Sequence, residues 1–220
     1  MINWIYVIIL GVAVGVISAM LDWPFSVSIS IIVLFALFSI GYMYYIAFAS
    51  TNLLKIKKYI EKHKKDPMLN YILVIENGTK EEELEAMDHI IAHYKQPVIK
   101  HTYEMNRAIR LNDFGRAEHF ADKLMDTPNG PYGKASITAL LGNRDMAKSY
   151  PLKKAWMNDA VDAQLALVES DIEIYDQSAA KAIERAKGLQ RYSLYYSLKK
   201  AKQEHEWEKS IKPCYRLLIR

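Results

Sequence analysis

The chain has 220 residues, room for one ordinary domain and an accessory segment. Its single cysteine, Cys214, excludes an intrachain disulfide and with it a small disulfide-stapled secreted fold. The totals, 51% apolar and 25% charged with 29 Lys and Arg against 25 Asp and Glu, conceal a division: residues 1–50 carry one charged side chain, Asp22, so two solvents are implied.

Residues 2–21 hold no charge, and as a helix they measure roughly 30 Å, the thickness of a bilayer's hydrocarbon core. A second uncharged run covers residues 25–49, and only Asp22-Trp23-Pro24 separates the two. The pattern predicts an antiparallel transmembrane hairpin over residues 1–50, with Asp22 capping the second helix and Pro24 in its first turn. Met1-Ile2-Asn3-Trp4 lacks the basic start of a cleaved signal peptide, and the apolar run is too long for one. Gly11, Gly15 and Ala19 recur every four residues. Such a stripe packs either within the hairpin, where Ser26, Ser28 and Ser30 are candidate partners, or against another membrane helix.

Lys55, Lys57, Lys58, Lys62, Lys64 and Lys65 follow the second run directly. Positive flanks are retained on the cytoplasmic side, which predicts a multi-pass cell-membrane protein with both termini in the cytoplasm. Trp4, Tyr6, Tyr42, Tyr44 and Tyr45 then lie at one interface and Trp23 at the other. The basic segment, residues 51–66, is expected to continue the second helix and to attract anionic membrane lipids.

Residues 67–186 read as short helices between turn signals, with no strand pattern, so the fold class is all-α. Thr79 and Glu82 form a capping box, and further stops fall at Pro97, Asn112-Asp113, residues 126–133 and Gly142-Asn143. Ala86, Ala117, Ala147 and Ala180 stand 31, 30 and 33 positions apart inside corresponding second helices. The unit Asn112-Asp113-Phe114-Gly115-Arg116-Ala117, with Ala121, Leu124 and Pro128, resembles the tetratricopeptide repeat, and Leu141-Gly142-Asn143-Arg144-Asp145-Met146-Ala147 looks like a second copy. That resemblance implies helix pairs crossing at the four alanines and stacking around a concave face that holds a protein or peptide. The first-helix Trp and Gly positions of that family are not recognisable here.

Residues 66–180 hold 12 Lys and Arg against 19 Asp and Glu, net −7, while residues 181–220 hold 11 against 4, net +7. Leu189, Tyr192, Tyr195 and Tyr196, then Trp207, Ile211, Cys214, Tyr215 and Leu218, fall at helical spacing, so residues 187–220 are expected to form basic helices capping the stack. Their basic face suits anionic lipid or an acidic partner.

His89 and His93 share a helix face with Glu85, but the run His-Ile-Ile-Ala-His lacks the adjacent glutamate of zinc proteases. No phosphate-cradling loop or nucleophile elbow is present. No catalytic, cofactor-binding or metal-binding residue is therefore predicted, and the chain is read as a non-enzyme. The tyrosines occupy helical apolar positions and the adjoining segment is acidic, which argues against nucleic acid. The expected partners are lipids and a cytoplasmic or membrane protein. The reading is a membrane-anchored interaction scaffold or, second, an accessory subunit docking through its membrane helices.

Overall fold

The computed structural model describes the backbone of residues 4–218 and the side chains of residues 8, 9 and 11–207. Within that range the chain is all-helical. The side chains of Trp4, Tyr6, Ile211, Cys214, Tyr215 and Leu218 lie outside the described residues.

Two apolar helices come first, α1 (Trp4–Met20) and α2 (Phe25–Phe48). Among the described residues, α2 is the one helix long and apolar enough to cross a membrane; at 24 residues it measures about 36 Å. α1 has 17 residues, about 26 Å. Asp22 does not cap α2. It takes a left-handed backbone, φ 47°, to reverse the chain, and Pro24 occupies the cap position with no side-chain hydrogen bond.

The basic segment does not continue α2. The chain turns at Ala49-Ser50, where the Ser50 N–H donates to the Tyr45 carbonyl, and restarts as α3 (Leu53–Lys62), whose cap Asn52 accepts from the Lys55 N–H at 3.0 Å. A new cap satisfies orphan amides, so the second helix can leave the axis of the first.

Four helix pairs follow: α4 (Pro67–Asn77) with α5 (Lys80–His93), α6 (Pro97–Arg110) with α7 (Phe114–Asp122), α8 (Asn129–Leu140) with α9 (Arg144–Ser149), and α10 (Ala155–Val168) with α11 (Ile172–Arg185). Thr79 and Glu82 make both halves of the expected capping box. The turns inside the last three pairs share one geometry. Asn112, Gly142 and Ser170 are left-handed, at φ 59°, 79° and 65°. The residue after each, Asp113, Asn143 or Asp171, donates its N–H to a carbonyl five residues back and caps the next helix with its side chain. Gly142 fits that backbone without strain, whereas Asn112 and Ser170 adopt it at a cost of about 1 kcal/mol each.

The C-terminal segment is one helix, α12 (Gly188–Leu218), with Pro213 inside its helical backbone rather than ending it. It does more than cap one end. α12 packs against α11 and also returns to α2, α3 and α4, closing the row of pairs on itself. Its Tyr192 fills a core with Ile46, Ile56, Ile60 and Ile72, and its Leu194 and Leu198 join a second core with Trp156, Tyr175 and Ala182.

Candidate functional site

Three surfaces stand out, and the first two carry sequence-predicted residues. The first is the apolar hairpin. α1 and α2 meet through buried Val14 and through Ser28, whose hydroxyl donates to the Ser18 hydroxyl at 2.6 Å. The stripe of Gly11, Gly15 and Ala19 is not that contact. Gly15 and Ala19 are exposed, and a methyl group added at Gly11 or Gly15 meets nothing within 4 Å. Ser18 sits one position off the stripe, and the hydroxyl pair chooses its face of the helix. Of α2 only Ser28 and Ile46 are buried, so Leu34, Leu37, Phe38, Tyr44 and most of its length stand exposed.

The second surface is the junction of α2 with α3. Lys55, Lys58, Lys62, Lys64 and Lys65 are exposed, but Lys57 turns inward and donates to Glu76 at 2.7 Å. Glu76 also accepts from the Tyr192 hydroxyl. Burial on its own would raise the Glu76 carboxyl; hydrogen bonds from Lys57, Tyr192 and Tyr196 outweigh it and hold the group below the usual glutamate range. The bond to Glu76 holds Lys57 above the usual lysine value. Gly188, the first residue of α12, completes the junction. Its N–H donates to the Ser50 carbonyl at 2.7 Å, its φ is +58°, and a Cβ there would lie 1.9 Å from the Ala47 carbonyl oxygen.

The third is the seat of α12. Glu83 is 5% exposed and accepts from Lys200, which also donates to the Gly78 carbonyl. Arg110 approaches Glu83 at 2.8 Å and grips Glu204 with two hydrogen bonds of 2.8 and 2.6 Å. Lys202 pairs with Asp176, and the Tyr175 hydroxyl donates to the Leu198 carbonyl. The Arg110 bonds hold the Glu204 carboxyl below its usual range. The −7 and +7 segments thus face each other inside one molecule. This constellation went unseen in the sequence, because Arg110–Glu204 and Lys200–Glu83 join positions far apart; the charge division was its one legible trace.

Of the four alanines, Ala86, Ala117 and Ala147 are buried in their second helices and Ala180 is exposed, its neighbours Ala179 and Ala182 being buried instead. Register runs from the caps. Ala117 and Ala147 each stand four residues after their cap, and the same place after Asp171 belongs to Tyr175 and after Thr79 to Glu83, both buried. Two surface clefts of about 300 and 340 Å³ lie beside successive turns, and their linings correspond thirty positions apart: Leu111 with Leu141, Asp113 with Asn143, Arg116 with Met146. Leu111, Leu141 and Met146 leave apolar side chains exposed along this turn edge, and Ile174 continues the row.

His89 lies 3.8 Å from Glu85 with both side chains exposed, and His93 meets Tyr94 edge-on. Among the described residues no group of three or more His, Cys, Asp or Glu is placed to hold a metal ion. No protein-family model, no curated protein and no solved structure matches this chain.

Proposed function

We propose that the protein is a membrane-anchored scaffold: α1 and α2 cross the cell membrane as an antiparallel hairpin with both termini in the cytoplasm, and the remaining helices form a tetratricopeptide-like module that binds a protein without catalysis. The observation that carries this reading is α2. Its apolar side chains stand exposed along most of its length, a far larger apolar surface than soluble monomers leave to water, while its end is built into the domain core through Ile46 and the Gly188–Ser50 bond. Membrane anchoring confines the module near any partner held at the same surface and so raises its effective concentration.

With α12 seated against α4 and α11, the turn edge bearing Leu111, Leu141, Met146 and Ile174 is the free apolar row that suits a partner. Full-length protein, purified from solubilised membranes, is expected to retain its partner, and Leu141→Glu with Met146→Glu to lose it without a change in melting temperature. Retention by the double variant rejects this edge. A membrane-impermeant maleimide that labels Cys214 in intact cells rejects the topology.

The accessory-subunit reading gains one observation, the open space over Gly11 and Gly15. Gly15→Leu then abolishes capture while the turn-edge variants spare it.

A further inference from the structure

The α2–α3 junction gathers residues from two distant parts of the chain. Leu54, at the start of α3, is 73% exposed beside the exposed ammoniums of Lys55 and Lys58. Lys187, also exposed, is held at the same junction because the next residue, Gly188, is bonded to Ser50 and packed on Ala47. Lys57, which looks equivalent in the sequence, is spent on Glu76. Leu54 has no polar role at that place, and its neighbours form no apolar cover for it.

We propose that Leu54, Lys55, Lys58 and Lys187 form one contact for anionic phospholipid at the end of α2. Leu54 enters the upper acyl region, and the three ammoniums engage headgroup phosphates. The contact rests on the reading that α2 spans the bilayer. Leu54 follows Phe48 by six residues, and Ile56 and Ile60 pack α3 on Ile46 near the end of α2, the level at which a leucine gains from lipid and a lysine from surface potential if α2 spans the bilayer. Lys187 reaches that level through tertiary structure, so the contact exists only while α12 is seated.

The test uses the full chain with Cys214→Ser and a fluorophore on a cysteine at one of two exposed positions, Leu37 in mid-α2 or Leu54. Each is reconstituted in vesicles of phosphatidylcholine and phosphatidylglycerol, with the brominated quencher carried by one lipid or the other. Quenching is expected at both positions. At Leu54 it should favour brominated phosphatidylglycerol roughly fivefold or more, about the preference a single lysine confers at an anionic surface. That preference should fall on Lys58→Glu and again on Lys187→Glu. Quenching at Leu37 with none at Leu54, or with no lipid preference there, overturns the contact and leaves the spanning reading intact. A preference that survives Lys187→Glu overturns the assembled site. No quenching at Leu37 removes the spanning reading and the contact together.

Discussion

Helices α2 and α12 are both long, at 24 and 31 residues, and they meet at one joint, yet their surfaces have nothing else in common. α2 buries Ser28 and Ile46 and exposes leucine, isoleucine and phenylalanine over the rest. α12 buries Tyr192 in one core and Leu194 and Leu198 in another, and answers nearby carboxylates with Lys200 and Lys202. An apolar surface with so few neighbours in its own chain is suited to an apolar environment beyond it, lipid or another protein, whereas α12 draws its stability from the two cores it fills. The difference separates a helix whose apolar surface is left outside the core from one built into it, joined where Gly188 meets Ser50.

The joint itself should show the largest effect. Gly188→Ala drives a Cβ into the Ala47 carbonyl and forces a left-handed alanine, so thermal unfolding in detergent should show a loss of about 3 kcal/mol. Wild-type stability in this variant would mean that α12 is not clamped to the end of α2. Next comes Glu76→Ala, which strands Lys57 and the Tyr192 hydroxyl; about 2 kcal/mol is expected, against no loss for Lys64→Ala on the exposed side.

Acid should act in the same place. Glu76 and Glu204 are held below the usual carboxylate range, so their contribution is complete above the ordinary glutamate value, from about pH 5 upward, and is lost as pH falls through their lowered values. Denaturant titrations at descending pH should show that decline, with a shallower slope in Glu76→Gln.

Smaller changes test the turns and α1. Asn112→Gly and Ser170→Gly relieve left-handed backbones and should each stabilise by about 0.5 kcal/mol, while Gly142→Ala should cost about 1 kcal/mol. Gly15→Leu should leave the stability within about 0.5 kcal/mol of wild type, because nothing lies over that position.

What the sequence revealed was local. The Thr79–Glu82 box and the Asn112-Asp113 and Gly142-Asn143 turns were legible because a cap acts within three residues of itself. The start of α3 was equally local, in Ser50-Thr51-Asn52, but the lysine run beyond it suggested a continuous helix. Ala180 misled because alanine spacing is a poor guide to register when the cap-to-cap distance changes, from 34 residues between Thr79 and Asp113 to 28 between Asn143 and Asp171. Neither the inward turn of Lys57 nor the return of α12 was legible, since each depends on a partner set by tertiary packing.

The return of α12 also imposes an order of events on the ribosome. The elements it touches have been synthesised before it: α2, α3, α4 and α11, with Glu83 of α5 and Arg110 of α6, all precede Gly188 in the chain. Until α12 emerges, Ile46, Ile56, Ile60 and Ile72 lack the tyrosine ring that fills their cluster, and Glu83 lacks its lysine. Loop closure over so long a separation is slow compared with local hairpin formation, so a nascent chain stalled before residue 188 presents an open apolar seat. Such a seat is the kind of surface that folding factors hold until synthesis is done.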